Sequence, residues 1–470
     1  MHPSRERKTL IKNGTVVTPG GVMAADILIQ GETIAQIRHR DQGGIQAADA
    51  TEIDAQGLIV IPGGVDVHTH FNLDVGIAVA QDDFYTGTVA AAMGGTTTIV
   101  DHPGFGPENC SIFHQIEKYH GFARGNAVID YSFHGVLQHL NEEVLRDIPR
   151  LADQGITSMK AYMTYGHMFS ADMLARLFEV TQKSGVLIAV HAEDDTMVNR
   201  LRREFQEAGK TDAIYHALSR PNETEAKAVR EVIDIAAVNN APLYIVHLTT
   251  RQGLEAVKAA RQSGRPVFAE TCPQYLFLDE DAYREDDHGG LKYVMSPPLR
   301  SKTDQAALWQ GLKDETISTV GTDHCPFDFK LKKQLARDDF TRCPGGAPGV
   351  EARIPLMFSG LVKDLETDLT RFCRLVSENP ARIMGLYPKK GIIKAGADAD
   401  IVLMDPRKKT TLSHGMLHEN VDYTPYEGIR VNCWPVLTMV RGEVVVKNGV
   451  FTGQKGFGRF IKRKQSEYNL

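Results

Sequence analysis

Residues 57–70, "GLIVIPGGVDVHTH", join a run of apolar residues through two glycines to a pair of histidines. The apolar residues are typical of a buried β-strand bounded by a turn. Residues two apart on a strand point to the same side, so the imidazoles of His68 and His70 can reach one metal ion. This stretch therefore predicts a strand that delivers two metal ligands at its C-terminal end.

Seven more short apolar runs follow along the chain. Helical stretches such as 225–240 and 251–264 separate them, and strand–helix alternation of this kind indicates parallel βαβ units. Together with the first strand, "GVDVHTH" at 64–70, the runs predict an α/β fold in which eight strands close into a (β/α)8 barrel. The further predicted strands are "TTTIVDH" (96–102), "AVIDYSFH" (127–134), "ITSMKAYM" (156–163), "VLIAVHAED" (186–194), "PLYIVHL" (242–248), "RPVFAET" (265–271) and "ISTVGTDH" (317–324).

The two ends of the chain have a different pattern. Short β-type runs punctuated by Gly, Asn and Pro occupy the first sixty residues and return near the end, as in 436–453. We therefore expect a small β-sandwich-like domain built from residues 1–60 and 395–455, and a barrel over residues 61–394. The basic segment 456–470 is expected to be a solvated tail, with a subunit contact as the alternative.

Composition excludes several classes of function. The 470 residues carry a net charge of −6, so no global positive field indicates binding to nucleic acid or membrane. No run of eighteen apolar residues is present to span a bilayer, and the N-terminal residues lack the pattern of a secretory signal. The six cysteines form no C-x-x-C pair, so we expect neither a disulfide framework nor a zinc finger, and a reduced, cytoplasmic compartment.

Polar residues close nearly every predicted barrel strand. Any one of them could be a strand-end residue that faces water. In (β/α)8 barrels, however, catalytic groups lie at the C-terminal ends of the strands, so their recurrence indicates a functional site there. These residues are His68, His70, His102, His134, Lys160, His191, His247, Glu270 and Asp323.

Asp323 and two further histidines complete a candidate ligand set. In a closed barrel the eighth strand lies beside the first, which would bring Asp323 to the first two histidines as a ligand and proton acceptor, although a turn or N-cap role is the alternative. The side chain of His324 should point away from that of Asp323. His191 and His247 each close an apolar strand and could be core histidines, but together they suit a second metal. Nitrogen and oxygen donors without thiolate suit Zn²⁺ and do not exclude Mn²⁺ or Co²⁺.

Lys160 stands in a largely apolar run, "ITSMKAYMTYG" at 156–166. A buried ammonium costs several kcal/mol unless it is paired or neutralised. Burial can leave the lysine as a free amine, and a free amine reacts with CO2 to give a carbamate that is able to bridge two metal ions. From the residues alone, an ion-paired lysine remains the simpler interpretation.

The chain from about residue 5 to 455 resembles the cyclic amidohydrolases of the dihydropyrimidinase/hydantoinase family. Details at 70–76, "HFNLDVG", and 102–110, "HPGFGPENC", are most similar to the phenylhydantoinase branch. The resemblance implies a (β/α)8 barrel with a β-sandwich-like domain and a two-metal centre. It rests on "PGGVDVHTHF" (62–71), "DDFYTGTVAAAMGGTTTIVDH" (82–102), "MKAYMTY" (159–165), "TCPQYL" (271–276), "SPPLR" (296–300), "GTDHCPF" (321–327) and "NPARIMGL" (379–386).

The resemblance also implies a role for each metal ligand. Lys160 would carry the CO2-derived carbamate, as N6-carboxylysine, and bridge two divalent ions, with zinc favoured and manganese or cobalt as alternatives. One ion would be held by His68, His70, Lys160 and Asp323, and the other by Lys160, His191 and His247. The resemblance leaves His102, His134 and Glu270 as supporting or structural residues.

Three residues are implied on the substrate side. Tyr165 matches the tyrosine that polarises the substrate carbonyl and stabilises its oxyanion. Ser296 matches the residue that contacts the ring amide, largely through its backbone. Gly345 stands where the family has an Asn in a "P-N-G" turn, and it keeps a backbone carbonyl but has no side-chain contact. Side-chain selectivity is expected from the loops near Val75, Tyr162 and Met168.

The activity implied is metal-dependent hydrolytic ring opening of 5-substituted hydantoins such as D-5-phenylhydantoin, or of dihydropyrimidines, to N-carbamoyl amino acids, with Asp323 as proton carrier. Dihydropyrimidinase and allantoinase are the alternative activities. Dihydroorotases carry an arginine where this chain has Asn72, which disfavours an anionic ring substrate.

A scaffold like the collapsin-response-mediator relatives is the non-enzyme alternative, disfavoured because every ligand position is filled. Analogy with the family predicts a homotetramer.

Overall fold

The computed structural model describes residues 7–468; the ends of the predicted β domain (residues 1–6) and of the predicted tail (469–470) lie outside the described residues. Its strands, in chain order, are β1 (Lys8–Thr18), β2 (Gly21–Gln30), β3 (Thr33–His39), β4 (Thr51–Asp54), β5 (Ile59–Pro62), β6 (Gly64–Thr69), β7 (Thr96–Asp101), β8 (Asp130–Phe133), β9 (Gly135–Val136), β10 (Ser158–Tyr162), β11 (Leu187–His191), β12 (Leu243–Ile245), β13 (Val267–Thr271), β14 (Thr319–Val320), β15 (Ile401–Asp405), β16 (Thr410–Thr411), β17 (Arg430–Val431), β18 (Trp434–Val440), β19 (Glu443–Lys447) and β20 (Val450–Phe451).

The α-helices lie mainly between the parallel strands. None of the helices within residues 7–468 combines the length and apolar character needed to cross a membrane. In chain order they are α1 (Thr86–Met93), α2 (Ile112–Ala123), α3 (Glu142–Asp153), α4 (Ala171–Ser184), α5 (Asp195–Glu207), α6 (Ile214–Leu218), α7 (Asn222–Val238), α8 (Arg251–Gln262), α9 (Pro273–Phe277), α10 (Lys302–Lys313), α11 (Phe329–Ala336), α12 (Arg353–Met357), α13 (Leu369–Cys373) and α14 (Asn379–Ile383).

One nine-stranded sheet draws on both ends of the chain. Its order is β20-β19-β18-β15-β5-β1-β2-β3, with β4 paired to β1. Strand β5 joins the two ends, because it pairs parallel to β1 and antiparallel to β15. Buried aliphatic side chains from both ends, such as Ile27 and Ile401, form one core beneath it. The sheet thus combines the two segments that the sequence analysis grouped by pattern.

The eight predicted parallel strands are all present, mostly shorter than their apolar runs. Strands β6, β7 and β8 form one parallel sheet, and β9 to β14 form a second in chain order, in which β9 is a short strand beyond the eight predicted. A parallel bridge between Thr69 and His324 connects the end of β6 to the segment after β14. The strands are buried along nearly their whole length, as expected for parallel sheets covered by helices. Their C-terminal ends therefore point towards one region.

The C-terminal segment differs from the expected solvated tail. The Phe460 ring packs 5.7 Å from that of Phe133, and Ile461 is buried. Arg463 is also buried and donates hydrogen bonds to the hydroxyls of Ser132 (3.0 Å) and Ser158 (2.9 Å). The prediction of a solvated tail is therefore wrong at Phe460, Ile461 and Arg463, whereas residues 459, 462, 464, 465 and 467 are exposed. Buried and exposed residues alternate over 461–464, and the basic composition hid this pattern.

Candidate metal centre and active site

One cavity of about 560 Å³ is lined by every residue that the sequence analysis assigned to metal binding or to direct contact with the substrate ring. It lies at the C-terminal ends of the parallel strands, where a site was expected. The predicted residues that line it are His68, His70, Lys160, Tyr165, His191, His247, Ser296, Asp323 and Gly345. Side chains from distant parts of the sequence therefore converge on a single space.

The first candidate ligand group consists of His68, His70 and Asp323. One ligand atom from each residue lies within 4.8 Å of the others. Asp323 Oδ1 is 3.1 Å from the Nε2 atom of both imidazoles. His68 and His70 are two residues apart at the end of β6, so their side chains point to the same side. The structure thus brings together the two histidines that the sequence spacing placed on one side of a strand, and adds Asp323 to them.

His191 and His247 stand beside this group. Their ring centroids are 4.5 Å apart, and the ring of His247 is 5.4 Å from that of His68. His191 Nε2 is held 2.7 Å from Glu193 Oε2, which leaves Nδ1 available. The Nδ1 atom of His247 is buried and has no hydrogen-bond partner within residues 7–468. Both imidazoles therefore offer a nitrogen to a ligand next to the first group.

Glu270, which the sequence left without an assigned role, fixes the ring of His68. Its Oε1 atom is 2.5 Å from His68 Nδ1, and its Oε2 atom accepts a hydrogen bond of 2.9 Å from the Tyr244 hydroxyl. Burial lowers the pKa of His68, but the carboxylates of Glu270 and Asp323 outweigh it and raise that pKa to about 9. A carboxylate on the far nitrogen orients a metal-binding imidazole and raises its basicity.

The pair formed by Glu193 and Arg220 is a part of the site that the sequence analysis missed. Arg220 Nη1 donates to Glu193 Oε2 over 2.7 Å, and both side chains are buried. Although burial raises it, the pKa of Glu193 is held below its usual value by Arg220 and His191. Glu193 thus stays ionised behind His191. Its position two residues after His191, on the same side of an extended chain, was the available signal.

His102 and His134 lie directly behind the candidate ligands. Their rings stack at 3.9 Å with an interplanar angle of 5°, and the His102 ring is 4.5 Å from that of His68. His134 is fixed by the Val67 carbonyl (3.0 Å) and the Ser158 hydroxyl (2.6 Å). His134 therefore has a packing role, and it presents its face to His102.

Lys160 is the middle residue of β10 and is only 2% exposed. No carboxylate within residues 7–468 forms an ion pair with its Nζ atom, so the ion-paired alternative does not describe this structure. Burial lowers the pKa of Lys160 to about 8, and Asp323 and Glu270 only partly oppose that shift. Its amine is thus far closer to the neutral form than that of an exposed lysine.

Three site residues have a left-handed backbone. Tyr165, His247 and Asp323 have φ angles of 71°, 35° and 52°. This conformation costs on the order of 1–2 kcal/mol for a residue with a Cβ atom, and such residues often cluster at functional sites. Part of the compensation is visible at Tyr165, whose N–H donates to Asp195 Oδ1 over 3.2 Å. The fold therefore holds these side chains in place against local preference.

On the substrate side, Tyr165 is 38% exposed and borders the cavity. Burial around its hydroxyl raises the pKa of Tyr165 to about 12, with Arg220 opposing the shift. The hydroxyl thus keeps its proton at neutral pH and can donate a hydrogen bond. Of the residues expected to set selectivity, Val75 and Tyr162 line the cavity, whereas Met168 is 50% exposed outside that lining.

The donor set fits divalent metal ions. Within residues 7–468, His70 Nδ1 and His247 Nδ1 are buried atoms without a hydrogen-bond partner. Leaving such an atom unpaired costs about 1–3 kcal/mol, a cost that a bound ion or water would remove. Imidazole and carboxylate donors suit zinc, manganese or cobalt. The arrangement can therefore hold metal, activate water and present a tyrosine hydroxyl to a carbonyl.

Comparison with known proteins points to one family. Residues 59–445 match the model described as "Amidohydrolase family". The chain is 48% identical to D-phenylhydantoinase from Escherichia coli O9:H4 (strain HS), covering 97% of this chain and 98% of that one. The crystal structure of dihydropyrimidinase from Brevibacillus agri NCHU1002 matches with a TM-score of 0.95 and 42% identity, covering 98% and 99% of the two chains. L-hydantoinase (dihydropyrimidinase) from Arthrobacter aurescens matches with a TM-score of 0.87 and 29% identity, covering 97% and 99%.

Proposed function

Because this chain belongs to the amidohydrolase family, we propose that it opens 5-substituted hydantoin rings by hydrolysis and releases N-carbamoyl amino acids. The observation that carries the proposal is the convergence of the six candidate metal ligands on one cavity, in a chain so similar to a D-phenylhydantoinase. The filled ligand set disfavours a scaffold function.

The proposed metal centre takes two divalent ions, with zinc as the first choice. His68, His70, Asp323 and the Lys160 carbamate would hold one, and His191, His247 and the same carbamate would hold the other. When bound, such ions polarise a carbonyl and lower the pKa of water towards neutrality. The carbamate proposal is supported by a buried lysine whose Nζ atom forms no ion pair within residues 7–468 and whose pKa burial lowers to about 8.

The residues of the chain then divide the remaining work. Asp323 accepts the proton of the attacking water and returns it to the ring nitrogen as the C–N bond breaks. His68 and His70 keep the pKa of Asp323 low despite burial, so the carboxylate starts ionised. Tyr165 donates its hydroxyl proton in a hydrogen bond to the carbonyl oxygen as negative charge develops there. Backbone groups of Ser296 and Gly345 orient the ring amide.

Aryl hydantoins of the D series are the proposed preferred substrates. The cavity has an apolar wall that includes Leu73, Val75, Ile77 and Phe105, and this wall suits a phenyl substituent. Identity is 48% to the D-phenylhydantoinase but 29% to the L-hydantoinase. Dihydropyrimidines are the second candidate class, because the similar Brevibacillus structure is that of a dihydropyrimidinase.

We propose the following organisation for the whole enzyme. Residues 61–394 form the (β/α)8 barrel, and residues 1–60 and 395–455 form the β-sandwich-like domain. The nine-stranded sheet with strands from both chain ends and the Thr69–His324 bridge support this division. A homotetramer in the cytoplasm is the proposed assembly and location, by analogy with the family.

The direct test is a substrate panel with enzyme reconstituted with Zn²⁺ or Mn²⁺ and bicarbonate. We expect the highest kcat/KM for D-5-phenylhydantoin, with lower values for its L enantiomer, dihydrouracil and allantoin. An Asp323→Asn variant prepared in parallel controls for contaminating hydrolases. A preference for dihydrouracil or allantoin would replace the proposed substrate, and no ring opening by metal-loaded enzyme would reject the proposal.

A further inference from the structure

Lys332 is a fully buried lysine outside the metal centre. It lies on α11, and its Nζ atom donates hydrogen bonds to three backbone carbonyls. The accepting oxygens belong to Gly346 (2.5 Å), Val294 (3.3 Å) and Lys292 (3.3 Å). No carboxylate within residues 7–468 forms an ion pair with it. The charge is therefore stabilised by backbone dipoles of two separate loops.

Those two loops carry the proposed substrate contacts. Val294 is two residues before Ser296, and Gly346 directly follows Gly345. The Gly346 N–H also donates to the Val294 carbonyl over 2.9 Å, so the loops are joined directly as well as through the ammonium. Both Ser296 and Gly345 border the cavity. Lys332 thus lies behind the two segments that face the substrate ring.

Neighbouring side chains hold the same segments from other sides. His216 Nε2 is 2.7 Å from the Met295 carbonyl, one residue before Ser296. The Tyr423 hydroxyl donates to the Lys292 carbonyl over 3.1 Å, and Lys332 Nζ is 5.8 Å from the Tyr423 ring centroid. Each of these contacts holds one loop, whereas the Lys332 ammonium bonds to both.

We propose that Lys332 is a positioning residue that sets the distance between the Ser296 and Gly345 backbone groups, so that both bind one cyclic amide ring together. The inference rests on the proposed function for its substrate. Three hydrogen bonds from one charged donor can fix two loops at once, because charge-assisted hydrogen bonds are stronger than neutral ones. A bound ring needs both contacts at a fixed spacing, so loosening either loop weakens substrate binding.

The test compares Lys332→Met, which removes all three hydrogen bonds, with Lys332→Gln, which keeps a neutral donor. Lys333→Met is the matched control, because Lys333 is the next residue on the same helix and pairs with Asp287 at the surface. We expect KM for D-5-phenylhydantoin to rise about tenfold or more in the Met variant and less in the Gln variant. We expect kcat to change less than threefold, with the metal content unchanged.

Amide hydrogen exchange gives a readout that does not depend on the substrate. In both Lys332 variants, exchange should accelerate in segments 291–296 and 343–347 together and stay unchanged at 187–191, the strand β11 that ends at His191. Unchanged exchange in either segment, or an unchanged KM in a folded variant, would overturn the inference. Loss of kcat and metal together with KM would also overturn it. If the wild-type enzyme opens no hydantoin, the proposed function fails, and the exchange result still decides whether Lys332 joins the loops.

Discussion

Lys160 and Lys390 are both almost completely buried, yet their surroundings differ in kind. The Nζ atom of Lys390 lies 2.5 Å from Asp130, 2.8 Å from Asp400 and 2.9 Å from Asp398. Lys160 has no carboxylate partner within residues 7–468 and faces the cavity. The pKa values move in opposite directions: burial lowers that of Lys160 to about 8, whereas the aspartates overcome burial and raise that of Lys390.

The difference separates a structural lysine from one available for chemistry. Lys390 connects Asp130 of β8 to the segment before β15, so its charge helps to join the parallel strands to the nine-stranded sheet. Lys160 has no such partner, and its amine is the group that would react with CO2. Removal of Lys160 should therefore reduce metal content and activity, whereas removal of Lys390 should reduce stability.

The largest expected effect is that of Lys160→Met. Without the bridging carboxylate the metal centre should not assemble, and hydantoin hydrolysis should fall by at least ~10³-fold, since a metal centre contributes several kcal/mol of transition-state stabilisation. Activity and metal content per subunit are the measurements. Short carboxylic acids added to the variant should restore part of the activity. Wild-type metal content and rate in the Lys160→Met variant would contradict the proposed carbamate.

Lys390→Met tests the other half of the comparison. It leaves Asp130 and Asp400 buried with less counter-charge, which should reduce the free energy of unfolding by about 3–5 kcal/mol. Urea denaturation of metal-loaded protein measures this loss. Metal content and kcat of the molecules that remain folded should match the wild type. A variant that is fully stable but inactive would reverse the proposed roles of the two lysines.

Glu270→Gln should have an intermediate effect. It removes the carboxylate from His68 Nδ1 while keeping the shape of the side chain. Loss of such a partner lowers metal affinity by about 10–100-fold. Competition with a chelator measures the change, and Glu285→Gln, at the surface, is a suitable control. Unchanged affinity would show that Glu270 only fills space.

The smallest expected effect concerns His216, a basic group that the fold keeps neutral. Burial lowers the pKa of His216 to about 3, against about 6.5 when unfolded. Between these values the unfolded chain binds a proton that the folded chain does not, so stability falls as pH decreases below about 6.5. At pH 5.5 the contribution is about 1.4 kcal/mol. Replacing His216 by Gln should remove most of that amount from the fall in the free energy of unfolding between pH 7 and 5.5, as measured by urea denaturation. An unchanged pH dependence would show that His216 is not kept neutral by the fold.

Local sequence patterns predicted what depends on short-range order. The parallel strands follow from apolar runs, and the shared side of His68 and His70 follows from alternation along one strand. Other features depend on contacts between separate segments of the chain. They are the Glu193–Arg220 pair, the hydrogen bonds of Lys332 and those of the buried Arg463. No periodicity marks such pairs, and a basic residue looks the same in sequence whether it will be solvated or bonded to carbonyls.

The most direct test of the central claim is to count carbamate and metal in the same sample. Enzyme prepared with ¹³C-labelled bicarbonate and zinc is measured by ¹³C NMR and by metal analysis, with Lys160→Met treated identically. We predict one carbamate carbon and two metal ions per wild-type subunit, and neither the carbamate signal nor the full metal content in the variant. Two metal ions and full hydantoin hydrolysis in wild-type enzyme without a carbamate carbon would contradict the account.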